Sequence, residues 1–358
     1  MPKQIVYLLG SGATQGVVKH AENQSLLTTD IQEYIRNELK GSADAFSDKI
    51  WNEIVSDDRD VEHLITVLDC QHKYETAIQV RRLYQEAIVN LAGKLKEPLR
   101  NNLYTYLVDL HVRSPKLLER EELSCFLSLN YEDLLERSII NHVPEIDVDY
   151  GLEIDKTAEF ERKVTVLKLH GSFNWVNTRP IQLGTMGNVP PDLTLWIPPG
   201  VDKKRENYPF NLLLGKAVEF IQAADVIRVI GCSLSRNDWG LIPILYTTQS
   251  LSSKAGVTIE LIDYVEPIKG ILGNYKYLRC VQFVDLPEVK QFKPRGTTLS
   301  REDLERHYSL ANKNAVNVFE DWLRAKIELL YTEDDVMRED LLNKDPAALA
   351  SNVYTNSR

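Results

Sequence analysis

The sequence predicts an α/β protein built on a doubly wound, mostly parallel sheet. Three observations support this fold class: short apolar runs recur along the chain, helical periodicity lies between several of them, and most runs stop at a small or polar residue. Alternation of strands and helices is typical of a parallel sheet covered by helices. Ligands of such sheets bind outside the carboxyl ends of the strands, so the residues just past each run are the site candidates.

The predicted strands are runs of five or six residues, mostly apolar. They cover residues 5–9, 124–129, 164–169, 193–197, 226–230, 257–262 and 280–284. Apolar residues at spacings of three and four predict helices throughout 42–118, and again over 212–223 and 304–327. Asp30 and Glu33 form a capping-box pattern at the start of another helix.

These patterns predict one sheet domain that is interrupted by helices. Residues 1–41 and 119–290 form the sheet domain, 42–118 an all-helical insertion, and 291–358 a C-terminal helical extension with a polar tail. A length of 358 residues is ample for this arrangement.

Composition excludes several classes of function. The chain has 42 Lys and Arg against 52 Asp and Glu, a net charge of −10, which argues against nucleic acid or an anionic membrane as a main ligand. No apolar stretch approaches the length of a membrane span, and the first apolar run lacks the features of a signal peptide, so we expect a cytoplasmic protein. The four cysteines form no C-x-x-C pair, and His63, Cys70 and His72 have no convergent spacing, so no metal site is predicted.

Two glycine-containing turns are candidate ligand contacts. Gly10, Ser11, Gly12 and Thr14 follow the first strand, where glycines let the backbone approach a pyrophosphate at a helix start. A plain tight turn explains the same residues equally well, because the third glycine of G-x-G-x-x-G is missing. Gly231 and Ser233 repeat the pattern after another strand, with the same two interpretations.

Three further polar residues stand at strand ends. Asn130 has the chemistry to position water or hold a ligand, although a helix N-cap explains it as well. His170, followed by glycine, is a candidate base or a structural histidine. Asp263 is a candidate acceptor for ribose hydroxyls or a loop cap. Asp30 lies at the usual distance for a ribose-binding acid, but no strand precedes it, so we assign it to the helix cap.

Taken in order, these pieces resemble the silent-information-regulator (sirtuin-like) family of NAD-binding proteins. Residues 10–14 resemble its Gly-Ala-Gly-x-Ser loop, and residues 128–136 resemble the Thr-Asn-Tyr-Asp-x-Leu-Leu-Glu signature of its bacterial branch. Residues 168–172 are similar to its His-Gly element, and residues 231–234 to its Gly-x-Ser-Leu element. The resemblance covers roughly residues 3–290, with 42–118 as an insertion.

The departures from the family pattern indicate the kind of activity. The four-Cys zinc module and the Pro-Asp-Phe-Arg segment of the deacylases are missing, and Leu129 stands where they have glutamine. Glu132 replaces the aspartate that is usual in the bacterial branch. The resemblance therefore implies an NAD+ hydrolase that releases nicotinamide and ADP-ribose, of the branch that serves anti-phage defence, rather than a lysine deacylase.

The resemblance also implies roles and partners. NAD is the substrate, with Asn130 orienting water or the nicotinamide ribose and His170 bonding a ribose hydroxyl or acting as base. The two glycine turns hold the pyrophosphate and adjoining ribose, and Asp263 the adenosine ribose. Control by assembly is implied, as a homo-oligomer with a separately encoded partner such as a HerA-type ATPase. The alternatives are a protein deacylase or ADP-ribosyltransferase, a sensor that binds NAD or ADP-ribose without turnover, and a scaffold.

Overall fold

A computed structural model describes a large part of the chain. The described residues are 1–18, 31, 34–35, 61–93, 95, 102–113, 121–155, 160–198, 206–234, 238, 240–241, 243–245, 257–262, 281–285 and 290–291. Asp263 and almost all of the predicted C-terminal extension lie outside them.

The described residues form strands β1 (Lys3–Leu9), β2 (Glu121–Ser128), β3 (Ile146–Asp149), β4 (Arg162–Lys168), β5 (Gly171–Val176), β6 (Gln182–Leu183), β7 (Thr194–Trp196), β8 (Val226–Ile230), β9 (Thr258–Ile262), β10 (Val281–Asp285) and β11 (Lys290–Gln291). Eight of them form one sheet in the order β11-β10-β9-β8-β1-β2-β4-β3. All neighbouring pairs are parallel except the edge pair of β10 and β11. The predicted mostly parallel sheet is confirmed.

β1 lies at the centre of this sheet. Its residues 5–9 are all buried, although successive side chains point to opposite faces, so both faces are covered. β2, β4 and β3 lie on one side of β1, and the chain then returns to place β8, β9 and β10 on the other. Right-handed crossovers that run in opposite directions put their helices on opposite faces, which is the doubly wound, Rossmann-like arrangement. The switch in direction falls between β1 and β8.

The described helices are α1 (Ser11–Val18), α2 (Val61–Cys70), α3 (Tyr74–Gly93), α4 (Leu103–Val108), α5 (Leu134–His142) and α6 (Phe210–Ala223). Asn102 caps α4 through a capping box with Thr105, and α4 continues into a π-helical turn over Asp109–Arg113. α2, α3 and α4 fall within 42–118, where the sequence predicts helices, while the division into domains stays a prediction. None of the described helices is long and apolar enough to cross a membrane.

A second, small sheet corrects one expectation. Residues 193–197 were expected among the strands of the main sheet, but β7 pairs antiparallel with β5, which also pairs with β6. The physical reason is the turn after β4. Gly171 has φ +78°, and a Cβ there would lie 2.4 Å from the carbonyl oxygen of Leu195. Glycine is therefore needed for β5 to start beside β7. β3, β5, β6 and β11 were not predicted from the sequence.

Two helices from the segment predicted to be an insertion, α2 and α3, pack against this small sheet. α2 and α3 bury one apolar face each, in a cluster that also contains Tyr131 and Phe173. The side-chain amide of Gln85 on α3 donates to the hydroxyl of Thr194 on β7 at 3.0 Å. The helices thus contact Tyr131, three residues beyond the end of β2, and residues of β5 and β7.

A charged network is buried in the middle of the main sheet. Arg228 on β8, 4% exposed, donates to Glu260 on β9 at 2.6 Å and to both carboxylate oxygens of Glu121 on β2 at 2.7 and 2.8 Å. It also reaches the hydroxyl of Tyr7 at 3.1 Å, which contacts His111 at 2.7 Å. Burial raises the pKa of Tyr7 to about 12 and lowers that of His111 to about 3, so both stay neutral near pH 7.

Candidate active site

The loops that leave four neighbouring strands meet at the carboxyl edge of the sheet. The amide of Gly10 donates to the carbonyl of Ile230 at 3.0 Å, and the amide of Leu129 to Leu9 at 3.0 Å. Leu169 donates to Ser128 at 2.9 Å, which continues the ladder to β4. The structure therefore brings together the ends of β1, β2, β4 and β8, and with them Gly10, Asn130, His170 and Gly231.

The two glycine turns are in direct backbone contact across the switch point. A Cβ on Gly231, whose φ is +57°, would lie 2.1 Å from the amide nitrogen of Ala13, and one on Gly10 would lie 2.4 Å from the carbonyl oxygen of Gly231. A Cβ on Gly12 would lie 2.6 Å from the Cα of Gly231. These glycines are needed for loop-to-loop packing.

Backbone donors of the first turn are already used in hydrogen bonds within the protein. Gly12 donates to the carbonyl of Gly231 at 2.9 Å, and Ala13 donates to that of Gly10 at 3.0 Å. A pyrophosphate at this turn therefore has to be met by other groups. The side chains of Ser11 and Ser233 are exposed on the two loops, whereas Thr14 is buried.

The two protons on Nδ2 of Asn130 face three acceptors. Its Nδ2 lies 2.9 Å from the carbonyl oxygen of Gly10, 2.8 Å from Oγ1 of Thr14 and 3.2 Å from the hydroxyl of Tyr104. A carbonyl only accepts, which fixes the orientation of the amide: the nitrogen points into the protein. Because the nitrogen is committed, Oδ1 is the atom that Asn130 offers to a ligand.

The helix-cap interpretation of Asn130 is wrong. α5 begins at Leu134, and its N-cap is Asp133, which makes no side-chain cap bond. Asn130 stands three residues earlier and bonds α1 and α4 instead. Its amide therefore joins residues that follow β1 and β2 and does not cap α5.

A buried polar chain continues from Asn130. Thr14 on α1 donates to Oε1 of Glu132 at 2.5 Å and lies 3.0 Å from the hydroxyl of Tyr104. Burial raises the pKa of Tyr104, and the neighbouring Glu132 raises it further, so the hydroxyl keeps its proton. Sequence reasoning missed Tyr104: the apolar stripe of its helix runs through Leu103, Leu107 and other residues, and Tyr104 lies off it.

One buried lysine balances two buried carboxyl groups beneath this chain. Lys168, fully buried at the end of β4, lies 3.1 Å from Glu136 on α5 and donates to the backbone carbonyl of Glu132. Burial raises the pKa of both Glu132 and Glu136, and the lysine charge offsets this only in part. The signal for this cluster is a lysine within an apolar strand, with two glutamates one helical turn apart.

His170 is held between a carbonyl and a carboxylate. Its Nδ1 lies 3.1 Å from the carbonyl oxygen of Leu129, the neighbour of Asn130, so Nδ1 carries a proton. Its Nε2 lies 3.5 Å from Oδ1 of Asp238, which the sequence did not single out. The side chain is 3% exposed. Nε2 is thus the ring nitrogen that is not committed to Leu129, and it faces Asp238.

An aromatic cluster forms the wall beside His170. Tyr131 stacks on Phe173, with ring centroids 5.0 Å apart, and meets Trp196 edge-on at 5.3 Å. The ring of His170 lies 6.0 Å from that of Tyr131, whose hydroxyl donates to the carbonyl of Ile197 at 3.0 Å. Such packing holds the backbone between Asn130 and Glu132 rigid.

No group of three or more potential metal ligands occurs among the residues that the structure describes. Cys125 and Cys232 are buried thiols, and burial raises the pKa of Cys125.

Comparison with known proteins gives structural likenesses only. No protein-family model matches the sequence, and no curated protein matches it. One similar solved structure comes from work on the structural basis for the mechanism and regulation of Sir2 enzymes. It is 13% identical in sequence, and the match covers 73% of this chain and 79% of the other chain with a TM-score of 0.34. A second, Sir2Tm bound to a propionylated peptide, is 15% identical, covers 72% and 79%, and has a TM-score of 0.34. Both are Sir2 proteins. The fold assignment rests on the strand order and directions of this chain.

Proposed function

We propose that the protein is an NAD+ hydrolase that cleaves the nicotinamide–ribose bond to give nicotinamide and ADP-ribose. The observation that carries the proposal is the fixed amide of Asn130 at the switch point, with Nδ2 bonded to Gly10 and Thr14 and Oδ1 left for a ligand. The sirtuin-like order of the strand-end motifs supports the same substrate.

The reaction needs two things from the site. Loss of nicotinamide develops positive charge on the ribose, which is stabilised by oxygens aimed at it, and a water must attack the same carbon. Oδ1 of Asn130 has the chemistry to accept a hydrogen bond from that water or from a ribose hydroxyl. Nε2 of His170 accepts a proton from a ribose hydroxyl or water and shares it with Asp238 at 3.5 Å.

The loops at the switch point are proposed to bind the rest of the NAD molecule, beyond its nicotinamide ribose. Gly10, Gly12 and Gly231 supply a floor of backbone without side chains. The hydroxyls of Ser11 and Ser233, both exposed residues, are the proposed side-chain donors to the pyrophosphate. Asp263, at the end of β9, is kept as the proposed partner of the adenosine ribose, and Thr14 as an internal support of Asn130.

We extend the proposal to the biological setting. An enzyme that depletes NAD harms its own cell, so its activity has to depend on a trigger. We propose control by assembly into a homo-oligomer, with a separately encoded partner such as a HerA-type ATPase, in anti-phage defence. The cytoplasm, where NAD is abundant, is the proposed location.

The test is nicotinamide release by the purified protein, alone and with the product of the neighbouring gene. The parent is expected to convert NAD to nicotinamide and ADP-ribose, and Asn130→Ala and His170→Ala to lose at least about 100-fold in rate. Asn188→Ala, a change at an exposed asparagine of a turn remote from these contacts, is the matched control.

The outcomes separate the alternatives. Equal rates for the parent and Asn130→Ala would refute the assignment of the site. Ligand binding without any turnover favours the sensor, and turnover that depends on an acylated or acceptor protein favours the deacylase or the ADP-ribosyltransferase.

A further inference from the structure

We infer that Tyr104, on a helix of the insertion, is a positioning residue for Asn130 and sets the rate of the reaction through it. This inference rests on the proposed function. It concerns a residue that belongs to none of the sequence motifs and to which no direct contact with substrate is assigned.

The first step is the place of Tyr104. α4 is anchored by its capping box, in which the Thr105 amide donates to Asn102 Oδ1 at 3.1 Å and the Asn102 amide donates to Thr105 Oγ1 at 3.0 Å. α4 packs on α1 and α5, the helices that follow β1 and β2. Tyr104 is 1% exposed, so its hydroxyl is held in one place among those helices.

The second step is the direction of the hydrogen bonds. The hydroxyl of Thr14 has one proton, which it gives to Glu132. The contact of 3.0 Å between Thr14 and Tyr104 then requires Tyr104 to donate. The oxygen of Tyr104 remains an acceptor for Nδ2 of Asn130 at 3.2 Å, where it shares one of the two amide protons with a shorter contact to Gly10 or Thr14. One hydroxyl therefore fixes both the threonine and the amide.

The third step is what removal of that hydroxyl does. Tyr104→Phe takes away one of the three acceptors around Nδ2 and leaves the lone pair of Thr14 without its second donor. The amide of Asn130 gains freedom to turn, and Oδ1 spends less time in the orientation that the reaction needs. Substrate binding groups at the glycine turns are unchanged. The expected result is a loss of about tenfold in kcat with KM within about twofold of the parent, the value of one hydrogen bond.

The decisive experiment is a double-mutant cycle on nicotinamide release. Tyr104→Phe is measured in the parent and in Asn130→Ala, with Tyr106→Phe from the same helix as control. If Tyr104 acts through Asn130, the loss of about tenfold disappears in Asn130→Ala, and Tyr106→Phe has no effect in either background. An equal loss in both backgrounds, or no loss in the parent, would overturn the inference, because a structural role lowers the rate regardless of Asn130.

A second measurement keeps the inference testable without activity. In protein labelled with 15N-asparagine, the side-chain amide signals of Asn130 are identified by their absence from Asn130→Ala. They are expected to show contacts to the ring protons of Tyr104 in the parent and to move in Tyr104→Phe but not in Tyr106→Phe. Amide signals that are the same in all three proteins overturn the positioning role. If the parent releases no nicotinamide, the proposed function fails and this measurement alone decides the inference.

Discussion

Replacement of Arg228 by methionine tests the buried charged network of the sheet. Methionine keeps most of the side-chain volume and removes the charge. In the parent, Arg228 donates to Glu260 at 2.6 Å, to Glu121 at 2.7 and 2.8 Å, and to Tyr7 at 3.1 Å. All of these bonds are lost in the variant, and the carboxylates remain.

The decrease in the free energy of unfolding depends on which carboxylate is buried. The side chain of Glu121 is 21% exposed, so water reaches it, whereas that of Glu260 is 5% exposed and loses its contact with the Arg228 charge inside the core. Breaking a buried ion pair in this way costs about 3–5 kcal/mol, a large share of the stability of about 5–15 kcal/mol that is usual for a domain. Removal of both charges in Arg228→Met/Glu260→Met is expected to recover most of the loss, because the buried carboxylate that faced Arg228 is removed with it.

The assay is urea unfolding followed by tryptophan fluorescence at several pH values. Burial raises the pKa of Glu121, but the hydrogen bonds and charge of Arg228 outweigh this and hold it below its usual value. A lowered pKa gives stability that is present above the unfolded pKa, about 4.3, and is lost as the pH falls through the folded value. The difference between parent and Arg228→Met is therefore expected to be larger at pH 8 than at pH 4. A loss below about 1 kcal/mol, or a double variant no more stable than the single one, would refute the reasoning.

Two further predictions concern the strand ends. Gly231→Ala, with φ +57° and a Cβ 2.1 Å from the amide of Ala13, is expected to lose at least about 2 kcal/mol of stability in thermal unfolding, and an unchanged Tm would contradict the loop contact. Because burial raises the pKa of Glu136, this carboxyl costs stability as the pH rises from about 4.3 through its folded pKa. Glu136→Gln is therefore expected to be as stable as the parent near pH 4 and more stable at pH 8 in urea unfolding. The opposite trend would contradict a raised pKa of this carboxyl.

The main sheet was predictable because strands that are buried on both faces have a simple sequence pattern. β8 and β9 are covered on both faces, so their sequences are apolar runs that end at a turn residue, and both were predicted within a residue of their observed ends. β5 carries the polar residues Ser172 and Asn174 in a buried strand, which hides it from that pattern. The pairing of β7 depends on the positive φ of Gly171, a backbone property that apolar patterning does not register.

The candidate site was predictable only in part, and for a related reason. Position at a strand end pointed to Asn130 and His170, because the ends of parallel strands share one edge. The partners of those residues, Tyr104 and Asp238, come from segments distant in sequence and not adjacent in the sheet order. Their roles follow from tertiary contacts, which spacing along the chain does not encode. The use of the Gly12 amide by a neighbouring carbonyl is likewise visible only in the folded chain.

The contact between the glycine turns has a consequence for the order in which the molecule is made. Gly10 leaves the ribosome early, yet its amide bonds Ile230 and its turn packs on Gly231, which are synthesised much later. Until then β1 lacks its neighbour β8, and the floor of the crevice does not exist. A nascent or truncated chain that stops before this point lacks the Gly231 side of that contact. The proposed NAD+ hydrolase is therefore expected to gain activity only after Gly231 and β8 have been made.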